Sequence, residues 1–317
     1  MATAALAPRR GLKWAFKGQD GLRAGWGLAI FTALAAALSL AFLVVTVLAL
    51  AILRARGAPV PRLGPDLASL QSLTPAIILI IEGPILAALV LATLIMARIE
   101  RRSLSAYALS LKGMIARFSQ GLLAGAAFLS ILIGLLWLTG AIRFGATAPA
   151  NAATALWGLK WAGCFLLVAA VEEIAMRAYV LQTLARGLGF RWAAMISSAV
   201  FMLLHLPNGG ESVMGLLQVF LIGLVFSFSV WRTGALWWAL GYHAAWDWAQ
   251  SFLFGVADSG LMTPGALMSA HPAGPAWLSG GATGPEGSAL MFAIVAASVG
   301  LIGLTMMRGD QPVSSRW

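Results

Sequence analysis

LWGLKWAGCFLLVAAVEEIAMR, residues 156–177, carries a nearly unbroken apolar run into two adjacent carboxylates and an arginine. An ionised side chain in hydrocarbon costs at least ~2.5–3.5 kcal/mol on insertion scales, and neighbouring acids also repel. Either the run stops at a membrane surface, where the charges are solvated, or the charges face a protected polar site. Both readings make the stretch a membrane helix. Of 317 residues, 60% are hydrophobic and 10% charged, against about 25% charged in soluble domains. Mean hydropathy is +0.88. The expected fold is all-α, a polytopic transmembrane helical bundle.

A spanning helix needs ~20 mostly apolar residues. Candidate spans lie at 25–53, 74–97, 118–141, 155–176, 192–206, 213–231, 235–254 and 288–307. This gives about eight crossings of a multi-pass protein expected in the cell membrane. The first is too long for a cleaved signal peptide and reads as a retained span. The net charge of +10 reflects basic loops, so lipid is the expected partner and nucleic acid is not. Arg9, Arg10, Lys13, Lys17, Arg23, Arg98, Arg101, Arg102, Lys112, Arg117, Arg177, Arg186, Arg191, Arg232, Arg308 and Arg316 share one side, against Arg54, Arg56, Arg62 and Arg143 on the other. By the positive-inside rule both termini are expected in the cytoplasm. The chain then divides into a basic segment 1–24, N-terminal helices 25–150, a core 151–255, a Gly/Pro-rich outer loop 256–287 read as irregular, and a last span with its tail, 288–317. Cys164 is the single cysteine and reads as a small core residue.

Few polar groups fall inside or beside spans. Glu172 and Glu173 differ by ~100° around a helix and face different ways. Glu173 and Arg177 are one turn apart in the favourable order for an ion pair, so Glu172 needs another partner. FMLLH, 201–205, puts Phe201 and His205 on one face. HAAWD, 243–247, does the same for His243 and Asp247. Taken singly, these read as a solvated helix end, a hydrogen-bonded core histidine and a self-neutralising pair. Taken together, one internal cluster satisfies all of them at less cost than three sites facing lipid. A carboxylate beside two imidazoles can activate water, and further donors can stabilise the oxyanion of a tetrahedral intermediate. The same groups could instead hold zinc, although no HExxH is present. His271, in a loop, looks incidental. Glu82, in IEGPI, either lines the same cavity or pairs with Lys160 or Arg177, and Gly83-Pro84 is expected to interrupt its helix.

In this order and spacing, EEIAMR (172–177), FMLLH (201–205) and HAAWD (243–247) resemble the CPBP family of intramembrane proteases, which includes CAAX prenyl endopeptidases and bacterial members linked to bacteriocin processing and immunity. The likeness covers residues 155–255, including WRTGALWWALGYHAAWDW at 231–248. It implies a membrane-embedded protease acting on a membrane-anchored or hydrophobic peptide, prenylated or bacteriocin-like. Glu172 would be the general base, His205 a holder of the water, and His243 with Asp247 the oxyanion site. Glu173, Arg177 and Phe201 would support them. No organic cofactor is implied, and zinc, if used, would fall to Glu172, His205 and His243. Met176 and Ala178 depart from the family's usual aromatic and glycine. Asp247 replaces the asparagine of the eukaryotic-type enzymes, which bears on the CAAX substrate more than on the family. The alternatives are an ion-coupled transporter and a non-catalytic immunity or scaffold protein. Counted along simple spans, Glu172 and His205 fall at different depths, so tilt or a re-entrant segment within 178–191 must bring them together.

Overall fold

The computed structural model describes residues 17–18, 21–60 and 74–306. The basic N-terminal segment lies largely outside the described residues, as do Arg62 and the C-terminal tail from 307. After a two-residue β1–β2 hairpin (Lys17–Gly18 and Gly21–Leu22), the chain forms helices α1 (Ala24–Ala55), α2 (Pro75–Glu100) and α3 (Met114–Leu138). Strand β3 (Ile142–Phe144) precedes α4 (Ala152–Glu173), a π-helical segment (Ile174–Val180) and α5 (Leu181–Leu188). Then come α6 (Phe190–Leu204), α7 (Val213–Thr233) and α8 (Trp237–Trp248), the last extended by a second π segment (Ala249–Phe254). Strand β4 (Ala270–Pro272), the short α9 (Ala276–Ser279) and α10 (Met291–Thr305) complete the fold. This is the helical bundle expected from composition. Among the described residues, four helices, α1, α2, α3 and α7, are long and apolar enough to cross a membrane.

Local chemistry sets the helix starts. Thr74, Asn151 and Ser212 cap α2, α4 and α7 by accepting the backbone N–H of Ile77, Thr154 and Gly215, and Pro75 takes the first position of α2. These caps satisfy donors that a helix start leaves open. The interruption expected at Gly83-Pro84 is absent, and α2 runs through Pro84 as one helix.

The largest departure from the expected spans concerns α4. Its polypeptide does not end near Met176 but continues through the π segment into α5 as far as Leu188. Gln182 donates to the carbonyl of Arg177, and Ser197 of α6 donates to that of Met176. These bonds anchor a segment whose ladder departs from the α pattern. At Gly189, with φ +81°, the chain turns into α6, a conformation that favours glycine. Glu172 therefore lies seventeen residues before this turn and His205 sixteen after it. At ~1.5 Å per residue the two arms of the hairpin reach nearly the same height. The depth mismatch disappears without a re-entrant segment.

Helix α8 is central, packing on α3, α4 and α7. Its approach to α3 is a backbone contact. A Cβ at Gly121 would lie 2.1 Å from the Trp238 carbonyl oxygen, and one at Gly125 would lie 2.2 Å from that of Tyr242. A Cβ at Gly241 would meet the Phe118 carbonyl oxygen at 2.2 Å. Small residues at four-residue spacing permit such close packing where hydrocarbon offers no hydrophobic drive between helices. The contact brackets Tyr242 and so fixes the height of His243. At the end of the bundle where α2 meets α5, Glu100 accepts from Tyr107 at 3.1 Å and from Tyr179, and pairs with Arg186 at 2.5 Å. This clasp ties the long α4–α5 arm to α2.

Residues 255–287 are largely irregular, as expected, but are tied to the bundle through strand β4, the short α9 and bonds to remote segments. β4 pairs antiparallel with β3, with Arg143 opposite His271. Thr283 donates to the Gly210 carbonyl at 3.1 Å, and Gly260 N–H donates to Thr283 at 2.9 Å. Such bonds between segments remote in sequence leave no local periodicity to read.

Gly125→Val is expected to destabilise the protein by about 1–3 kcal/mol, the usual cost of overpacking, read as a lower melting temperature in detergent. An unchanged melting temperature would show that the α3–α8 backbone contact is dispensable.

Candidate active site

The residues singled out from the sequence meet at one cavity of about 670 Å³. Glu172 reaches it from α4, Phe201 and His205 from the end of α6, and His243 and Asp247 from α8. Glu173 and Arg177 sit behind it, fully buried.

Glu173 Oε1 lies 3.1 Å from Arg177 Nη1 and 3.1 Å from His243 Nδ1. One carboxylate oxygen thus joins the α4 arm to α8. Arg177 Nη2 reaches the Gly223 carbonyl of α7 at 3.4 Å, and its guanidinium stacks 4.5 Å from the Phe201 ring centre. A Cβ at Gly223 would crowd Ser198 at 2.9 Å and Arg177 at 3.3 Å, so that position accommodates the arginine by having no side chain. With Nδ1–H given to Glu173, the other face of His243 turns to the cavity. Its Nε2 lies 3.5 Å from both Glu172 Oε2 and Asp247 Oδ2. Those separations are close enough for electrostatic attraction and too long for a good hydrogen bond. Accordingly, Glu172 Oε2 has no hydrogen-bond partner, while its side chain is 29% exposed. His205 Nδ1 lies 2.9 Å from the Phe201 carbonyl oxygen. If Nδ1 carries the proton, Nε2 is left with its lone pair. Phe201 stands between the two imidazoles, 4.8 Å from one ring and 6.2 Å from the other.

These residues can position and deprotonate a water. The Nδ1 atoms of His243 and His205 are held by Glu173 and by a backbone carbonyl, as the outer nitrogen of a zinc-bound imidazole commonly is, so Nε2 of each ring with Glu172 would be the atoms to hold a zinc ion. The described residues contain no group of three or more His, Cys, Asp and Glu side chains arranged to hold a metal ion.

Glu82 lines the cavity and pairs with neither Lys160 nor Arg177. Lys160 lies over the Trp157 ring instead. His271 is exposed on β4, 2.9 Å from Ser269 Oγ, away from the cavity. Several lining residues carry no sequence signal. Asp258 and Glu286 come from the loop read as irregular, though they are the only charged residues in 255–287, which was the available clue. Glu286 accepts from Trp246 Nε1 at 3.1 Å and from the N–H and hydroxyl of Ser259 at 2.9 and 3.0 Å. Asp258 accepts from Ser251 at 3.1 Å, and Asn208 donates to the Ser259 carbonyl at 3.1 Å. The loop thereby closes the end of the cavity remote from Gly189. Gln218, on α7, was hidden inside an apolar span.

Residues 154–249 match the family model described as Type II CAAX prenyl endopeptidase Rce1-like. The match covers just under a third of the chain. The match spans all seven residues singled out in the three motifs, and Glu82, Asp258 and Glu286 lie outside it. The match is consistent with the CPBP family that the three motifs resemble. No curated protein and no solved structure matched the chain significantly.

Removing one partner of a buried ion pair typically costs ~3–5 kcal/mol, because the other charge is left uncompensated. Arg177→Leu is therefore expected to abolish a folded, extractable protein, with Arg177→Lys intermediate. A wild-type melting temperature for R177L would contradict this. Glu211, in the loop before α7, has its carboxyl raised from 4.5 to about 7 by burial and then by the charge of Glu286. The unfolded chain ionises first as pH rises, so this group's contribution to stability declines between pH 4.5 and about 7 and is constant above. Melting curves across that window should fall for the wild type and be flatter for Glu211→Gln. Parallel curves would refute the assignment.

Proposed function

We propose that the chain is an endopeptidase of the cell membrane, with both termini cytoplasmic, that hydrolyses a peptide bond in a membrane-anchored or hydrophobic substrate of the prenylated CAAX type or the bacteriocin type. One observation carries this reading. A carboxylate oxygen without a hydrogen-bond partner and an imidazole whose Nδ1 faces a backbone carbonyl line the same cavity, in a region that matches a protease family.

In this scheme His205 Nε2 orients a water and Glu172 takes its proton. The resulting hydroxide attacks the scissile carbonyl carbon. The carbonyl oxygen gains negative charge facing His243 Nε2, and Asp247 holds that ring against the cavity wall. A proton on Nε2 stabilises the oxyanion. Glu172 then returns its proton to the leaving amine as the carbon–nitrogen bond breaks. Glu173 and Arg177 keep His243 in place and touch no reacting atom.

The test is cleavage of fluorogenic membrane peptides, lipidated and not, by reconstituted protein. Glu172→Gln should lose at least ~100-fold in rate, in line with general-base contributions, at an unchanged melting temperature. Equal cleavage by both proteins would reject the assignment. Activity abolished by a chelator and restored by zinc would replace the glutamate scheme with a metal one.

A further inference from the structure

Acidic side chains outnumber basic ones on the cavity wall. Glu82 from α2, Glu172 from α4, Asp247 from α8, and Asp258 with Glu286 from the closing loop all line it, along with two imidazoles and no lysine or arginine. Glu82 makes no hydrogen bond or ion pair among the described residues. The nearest guanidinium, Arg177, is fully buried, with Nη1 and Nη2 turned to Glu173 and Gly223, and it does not line the cavity. Most of the remaining lining is apolar, where charges interact more strongly than in water.

A second observation concerns Gln218. It lines the cavity, is 1% exposed, and has no hydrogen-bond partner at either Oε1 or Nε2. Buried amides are nearly always paired. One acceptor and one donor left open on a cavity wall match the N–H and C=O of an extended peptide backbone.

Resting on the protease reading above, we infer that the cavity selects a peptide segment with a lysine or arginine side chain within a few residues of the scissile bond, its backbone held by Gln218, and disfavours a free C-terminal carboxylate. Such a carboxylate would enter among five acidic side chains with no lysine or arginine to receive it. A cationic side chain meets complementary charge. Discrimination here comes as much from the rejected partner as from the preferred one. The substrate is then cut at an internal bond of a cationic, apolar stretch rather than at the last residues of a chain ending in a free acid.

The experiment uses the full chain in vesicles and quenched-fluorescent peptides sharing one apolar core. One position beside the scissile bond is lysine, norleucine or glutamate, and each peptide is made as C-terminal acid and amide. A farnesylated CAAX peptide is included in both forms. The expected order of kcat/KM is lysine over norleucine over glutamate, at least tenfold at each step, with amides at least tenfold better than acids. Glu82→Lys should lower the lysine-to-norleucine ratio. Gln218→Leu should raise KM for all peptides about tenfold and leave that ratio unchanged. Equal rates for lysine and glutamate peptides, or a farnesylated acid cleaved as well as its amide, would overturn the inference and leave the protease reading standing. If wild type cleaves nothing beyond Glu172→Gln, the protease reading fails instead. Fluorescence anisotropy of labelled lysine and glutamate peptides on the wild type then decides the charge preference alone, and equal binding would overturn it.

Discussion

Glu173 Oε1, held between Arg177 and His243 inside the bundle, is the interaction on which the site depends. Its carboxylate is stripped of water, so it persists only with a cation close by and hydrogen bonds in place. Those requirements recruit four helices. The α4 arm supplies the acid and the arginine, α8 the imidazole, α7 the carbonyl of Gly223, and α6 the face of Phe201. His243 is then oriented by Glu173 and Arg177, which do not line the cavity. Adjacent glutamates divide the work because a helix turns them apart, one into the protein and one toward the open space.

The position of α8 is set twice over. The glycines of α3 and Gly241 bring two backbones together until carbonyl oxygens fill the space of absent side chains, and the buried carboxylate then fixes the ring of His243 from the opposite side. Small residues settle height and separation, while charge settles orientation. The closing loop adds a third constraint through Glu286, which grips Trp246 one turn along from the histidine.

Much of this was legible in the residues themselves. Hydropathy marks where a chain meets lipid, so the helices fell close to the expected spans. Spacing of three and four residues put Glu173 with Arg177, Phe201 with His205, and His243 with Asp247. Hydropathy says nothing of backbone continuity, and the run to Leu188 was missed because the sequence turns polar at Glu172 while the helix does not stop. Gln218 was invisible because one amide barely alters an apolar window. Asp258 and Glu286 were overlooked because Gly/Pro-rich composition suggests disorder of arrangement, whereas the loop is held by bonds to Gly210, Ser251 and Trp246. Glu82 was recognised as unusual, but only the fold could show which neighbours it lacks.

The two arms meeting at Gly189 act as a gauge. Their matched lengths mean that removing or inserting a single residue on either side would slide one reacting group ~1.5 Å along the bundle and swing it ~100° about its axis. The interval between the acidic pair and the first histidine is thus metrically locked.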